Sequence, residues 1–137
     1  MTVARRDCSW VMRVRPETAE LEQVRRFVQQ VAREAGLQVE KTFDLKVAVS
    51  EAAANAMEHA CGDEALLEIE ARLQSERLTF FVTDTGFFRP PCPPRGKLTN
   101  RGLGLPLMVA LMDEVSFSRA PGGGTRVSLS ILLGQAT

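Results

Sequence analysis

Residues 47–60 read Val-Ala-Val-Ser-Glu-Ala-Ala-Ala-Asn-Ala-Met-Glu-His-Ala, and this alanine-rich run constrains the fold more than any other part of the chain. Alanine is the strongest helix former, and its small side chain lets a helix approach its neighbours closely, so Ala48, Ala52, Ala53 and Ala56 predict a tightly packed helix. Glu51, Asn55 and His59 recur at steps of four, which places them on one side of that helix. A carboxylate and an amide set beside a packed seam cost about 1–3 kcal/mol each if buried without partners. Two readings follow: a solvated side of an amphipathic helix, or polar groups that meet a metal ion or ligand.

The length, 137 residues, suits one domain over 1–137 that buries roughly two thirds of the surface its unfolded chain exposes. Lys and Arg total 17 and so do Asp and Glu. The global field therefore gives no reason to expect nucleic acid or an anionic membrane as partner, and any charge argument must be local. Cys8, Cys61 and Cys92 are far apart, without the close spacing of a zinc site. Reduced thiols and the lack of any run of ~18 apolar residues predict a cytoplasmic location.

Residues 8–14 read as a strand with Trp10, Met12 and Val14 on one face, followed by Pro16 at a helix entry. Leu21, Val24, Val28, Val31 and Ala35 recur at steps of three and four before Gly36, predicting an amphipathic helix over about 17–35. The alanine-rich helix is expected over about 41–60. Residues 66–73 and 78–83 are short apolar runs around Gln74-Ser75-Glu76-Arg77, the pattern of a β-hairpin. Residues 85–101 carry Gly86, Pro90, Pro91, Pro93, Pro94 and Gly96 together with Arg89, Arg95, Lys97 and Arg101. A loop longer than ~12 residues is commonly functional, and four cations beside glycines suit a polyphosphate lid. A third helix over 103–112 tolerates Pro106 only in its first turn, where backbone N–H groups lack intrahelical partners and attract anions. Residues 115–118 and 125–133, joined through Pro121-Gly122-Gly123-Gly124, read as a closing hairpin.

The signals come in a definite order: Glu51-x-x-x-Asn55-x-x-x-His59-Ala60, then Asp84-x-Gly86, then Gly102-x-Gly104-Leu105, then Gly124-Thr125 at the head of the last strand. This order resembles the asparagine box and the three glycine boxes of the GHKL, or Bergerat-fold, ATPases. The run Arg-Gly-Leu-Gly-Leu-Pro-Leu-Met-Val-Ala-Leu-Met-Asp-Glu-Val over 101–115 is similar, more narrowly, to anti-sigma factor serine kinases of the SpoIIAB and RsbW type. The resemblance implies a two-layer α/β sandwich with a mixed, mainly antiparallel sheet on one side and helices on the other. It also implies ATP and Mg²⁺ as cofactors. Glu51 would be the general base and Asn55 the Mg²⁺ ligand. Asp84 would accept from the adenine amino group, Gly86 would let the chain pass the base, and Thr125 would support Asp84. Gly102, Gly104 and Leu105 would bring the helix entrance to the phosphates, with Arg101 at the γ-phosphate. The first glycine box of the family usually reads Asp-x-Gly-x-Gly; here Phe88 stands at its last position.

The function implied is an ATP-dependent protein serine/threonine kinase that sequesters a sigma factor and phosphorylates an anti-anti-sigma antagonist, with no direct nucleic-acid or membrane partner. Whether it forms a homodimer is open at this level. Competing readings are a nucleotide-shaped binding module with little chemistry, a switch-protein kinase that activates a phosphatase, and a detached histidine-kinase catalytic domain. His59 is read as structural, Glu58 as a solvated helix residue, and Asp113 and Glu114 as shaping a helix-to-strand turn.

Overall fold

Alternation of apolar and polar residues decides which way each strand faces. In the computed structural model, which describes residues 7–59, 65–84, 104–120 and 124–133, strand β2 (Leu67–Gln74) buries Leu67, Ile69, Ala71 and Leu73. Strand β3 (Arg77–Asp84) buries Leu78, Phe80 and Val82. Strand β5 (Thr125–Leu132) buries Val127, Leu129 and Ile131. Successive side chains point to opposite faces, so these residues line one face of the sheet and drive it against a helical layer. Strand β1 (Cys8–Val14) turns Trp10, Met12 and Val14 to the same side, as its sequence predicts. Strand β4 (Glu114–Arg119) completes a five-stranded sheet of order β1-β2-β3-β5-β4. All four described pairings are antiparallel.

The β2–β3 hairpin turns through Ser75 and Glu76, with Gln74 paired to Arg77 and Ser75 at φ 56°. The closing hairpin is present too: β4 pairs with β5, and the Ala120 N–H donates to the Gly124 carbonyl at 2.7 Å. The last strand does not stay at the edge with its hairpin partner outside β3; it inserts between β3 and β4, so that Phe80 lies opposite Leu129 and Val82 opposite Val127.

Helix α1 (Leu21–Ala35) buries Val24, Val28, Val31, Ala32 and Ala35. The predicted start near residue 17 is a separate short 3₁₀ turn, Thr18–Glu20, ahead of the α-helix. Gly36 ends α1 at φ 80°, with its N–H on the Arg33 carbonyl and the Leu37 N–H on the Ala32 carbonyl. That pair of bonds is a Schellman cap, and glycine takes the left-handed conformation it needs at little cost. Helix α2 (Val39–His59) is the centre of the helical layer, packed on α1, on helix α3 (Gly104–Leu111) and on strands β2, β3 and β5. Its Ala48, Ala52 and Ala53 are essentially inaccessible, which is how one helix reaches three neighbours. Phe27 of α1 meets Phe80 edge-to-face, with centroids 6.1 Å apart.

The other sheet face carries polar side chains. Arg72 and Arg126 stack on Phe81 at 4.9 and 5.5 Å, Thr79 and Ser130 share a hydrogen bond, and Arg13 pairs with Glu68. Sheet on one side and helices on the other make a two-layer α/β sandwich. Among the described residues, no helix is long and apolar enough to cross a membrane.

Candidate functional site

Three hydrogen bonds set the direction of the helices over the sheet. The Lys41 ammonium donates to the Leu132 carbonyl at 2.8 Å, which pins the start of α2 over the end of β5. Twenty-one residues of helix are about 30 Å long, enough to carry the last turns of α2 toward the opposite end of the sheet, where β3 finishes and β5 begins. At the other terminus of α3, the Asp113 N–H donates to the Ser130 carbonyl at 2.9 Å and Asp113 Oδ2 accepts from the Leu132 N–H at 2.7 Å. Helix α3 therefore ends over the finish of β5, and it packs along α2. The C-terminal half of α2 is thus carried toward the end of the sheet where β3 finishes and β5 begins.

Glu51 and Asn55 lie in that half of α2, one turn apart and each half-buried. Asp84 is the last residue of β3, 5% exposed, on the helix-facing side with Leu78, Phe80 and Val82. Register explains its neighbours. Thr83 lies opposite Arg126, so one further step brings Thr125, which is exposed, alongside Asp84 and on the same face. Gly124 packs still closer. A Cβ built on Gly124 would overlap the Asp84 carbonyl oxygen and stand 3.1 Å from its carbonyl carbon and 3.6 Å from its Cβ. Only glycine permits this approach of two backbones.

Gly104 opens α3, and Leu105 and Pro106 fall in its first turn. Pro106 is accommodated because its missing N–H would have had no intrahelical acceptor there. Gly86, Arg101, Gly102, Phe88 and the whole lid segment 85–101 lie outside the described residues, as do the side chains of His59 and Leu105. Asp113 and Glu114 shape the helix-to-strand turn, Glu114 through an ion pair with Arg77 at 3.2 Å.

One expectation is corrected. Glu58 is not a solvated helix residue; it is 8% exposed. Steps of four and three from Glu51 through Asn55 carry the stripe to Glu58, and that spacing was the available signal. The structure adds a contact for Gly124, which packs directly on Asp84. Its place at the head of the last strand is visible in the sequence, whereas its contact with Asp84 depends on strand order.

Residues 14–131 match the family described as the histidine kinase-like ATPase domain. The chain belongs to the histidine kinase-like ATPase domain family. Within that family, the ATPase domain is 37% identical over 106 residues to a protein named serine-protein kinase RsbW from Bacillus velezensis, covering 67% of this chain and 66% of that one. It is 29% identical over 99 residues to a protein named anti-sigma F factor from Clostridium novyi, covering 65% of this chain and 69% of that one. In three dimensions it is similar to the RsbU and RsbW domains of a Mycobacterium tuberculosis protein, with TM-score 0.67, 20% identity, and 93% of this chain against 34% of that one. The chain thus spans about two thirds of the Bacillus relative and about one third of the mycobacterial chain. The expected fold class is the one found.

Proposed function

We propose that residues 1–137 form one ATPase domain acting as an ATP-dependent protein serine/threonine kinase. In this reading it holds a sigma factor in the cytoplasm and phosphorylates an anti-anti-sigma antagonist. The observation that carries the reading is the close packing of Gly124 on Asp84, with Thr125 alongside, at the end of the sheet toward which the Glu51–Asn55 stripe of α2 runs. The names of the relatives, serine-protein kinase and anti-sigma F factor, point to the same activity and partner.

The residues present fit the nucleotide. A buried carboxylate on an otherwise apolar sheet face is an acceptor for an exocyclic amine, and a guanine would present a carbonyl there instead, so Asp84 selects adenine. The bare backbone at Gly124 leaves Asp84 and the adjoining strand end close together beneath a flat ring. Asn55 offers a hard amide oxygen. Mg²⁺ takes most of its ligands from phosphate and water, so one amide oxygen is a sufficient contribution from the protein. When bound, Mg²⁺ neutralises charge on the β- and γ-phosphates. The N-terminus of α3, with Gly104, and the preceding Gly102 and Arg101 bind the phosphates through N–H groups and a guanidinium.

Glu51 then has one task. Its carboxylate accepts the proton of the substrate hydroxyl as that oxygen bonds to the γ-phosphorus, and the bond to the ADP oxygen breaks. A phosphate of charge about −1.5 to −2 on the antagonist disrupts its own interface with the kinase. Replacing Glu51 by Gln tests this assignment: phosphotransfer to the cognate antagonist should fall at least 100-fold, roughly the contribution of general base catalysis, while ATP affinity persists. Transfer at the wild-type rate would remove Glu51 from the mechanism.

A further inference from the structure

Far from the nucleotide end, the outer surface of the helical layer carries a groove between the C-terminal half of α1 and the first turns of α2. It encloses about 470 Å³ and is lined by Gln29, Arg33, Leu37, Val39, Thr42, Phe43 and Lys46. Two features set it apart from ordinary solvated surface. Val39 and Phe43, one helical turn apart, are 82% and 66% exposed, the two most exposed large apolar side chains among the described residues. The lining of the groove itself adds two cations and no carboxylate. Among the described residues neither Arg33 nor Lys46 forms an ion pair; the Lys46 ammonium donates only to the Gln29 amide oxygen, at 3.1 Å.

Glu22 and Glu34 line the adjoining cleft that shares Arg33 and Lys46, and each is engaged elsewhere, Glu22 with Arg25 and Arg26. The Glu34 carboxylate accepts from Trp10 and Gln30. Lys41, on the same helical turn as Phe43, is drawn to the Leu132 carbonyl on the sheet side. The Thr42 hydroxyl donates to the Gln38 carbonyl, so no polar group of that side chain is left seeking a partner. A small anion would meet Arg33 and Lys46 but leave Phe43 and Val39 in water, and an uncharged apolar segment would do the reverse. Both are matched by a helix with an aromatic or aliphatic row edged by carboxylates, laid between two flanking helices.

We propose that this groove is a docking surface for an acidic amphipathic helical segment of a partner protein, its apolar row on Phe43 and Val39 and its carboxylates on Arg33 and Lys46. Twelve residues of α2 separate Phe43 from Asn55, about 18 Å along the helix. The surface is therefore separate from the nucleotide end and stands independently of the kinase assignment.

The probe is a synthetic helical peptide with Leu and Phe on one face and Glu along its edges, titrated to about 1 mM, the weak limit of specific recognition, against the isotope-labelled full chain. Two control peptides replace Glu by Lys, or Leu and Phe by Ala. Amide shifts should be confined to the C-terminal half of α1 and the first turns of α2, and both controls should bind more weakly. Phe43→Ser should weaken the acidic peptide about 10-fold, the loss of one anchor. The double variant Arg33→Glu, Lys46→Glu should exchange the preference and take the lysine peptide instead. Because these side chains are on the surface, unchanged amide dispersion and ATP affinity report that each variant is folded. Absence of shifts at the highest concentration, shifts on another face, or equal affinity for the variants would each overturn the proposal.

Discussion

Replacing Gly124 by Ala adds a single methyl group at the closest backbone approach seen at any described glycine. The new Cβ would overlap the Asp84 carbonyl oxygen. The obstacle is backbone, not the tip of a flexible side chain, so β5 must retreat from the end of β3 by roughly an ångström, and overpacking of this kind costs about 1–3 kcal/mol. The upper half of that range is expected, because Asp84 is itself buried and both strands lie inside the sheet. For a chain of this size about 2–3 kcal/mol corresponds to a fall in Tm of roughly 6–12 °C. If Asp84 is the adenine acceptor proposed above, displacing it should also lower ATP affinity at least 10-fold, a change of about 1.4 kcal/mol. Gly36→Ala is the control. It strains a left-handed helix cap at φ 80° and should cost about 1 kcal/mol, but it lies outside the nucleotide end and should leave ATP affinity unchanged. Thermal unfolding and ATP calorimetry on the two variants decide the matter. Wild-type ATP affinity in the Gly124→Ala protein would refute the placement of Asp84 and Gly124 beside the base.

Other expected outcomes are simpler. Asn55→Ala should abolish the difference in ATP affinity between Mg²⁺ and EDTA in calorimetry, with the fold intact, since Asn55 is only half-buried; a retained difference would exclude it as the metal ligand. Phe80→Ala empties a fully buried site against Phe27 and should cost about 3–5 kcal/mol, read as a lower urea midpoint at unchanged slope. Glu34 is held below the usual carboxylate range, first by the Trp10 indole and then by Gln30. A depressed folded value means that its contribution is present above the unfolded value of 4.5 and is lost as pH falls through the folded one. Trp10→Phe removes the indole donor, so the Glu34 titration followed by NMR should move upward, and an unmoved curve would refute that cause.

Much of the architecture is legible in local patterns. Strand faces follow from alternate residues in β1, β2, β3 and β5, the end of α1 from Gly36, and the polar stripe of α2 from steps of four. Such patterns are readable because they depend on neighbours within one or two turns of the same segment. The resemblance to the ATPase boxes adds the order of the site residues along the chain. Segment 85–101, including Phe88 and its prolines, lies outside the described residues.

What the sequence does not contain by itself is where these segments meet. The insertion of β5 between β3 and β4 brings Gly124 and Thr125 beside Asp84 across a long stretch of chain, and it follows from which sheet edge best buries Val127, Leu129 and Ile131. The burial of Glu58 is of the same kind, because spacing assigns a residue to a helix face but not the depth of packing over it. Local hydrogen bonding and side-chain period determined the elements of this protein; burial of shared apolar faces, a property of the whole chain, decided that Gly124 would pack on Asp84 and that Glu58 would be buried.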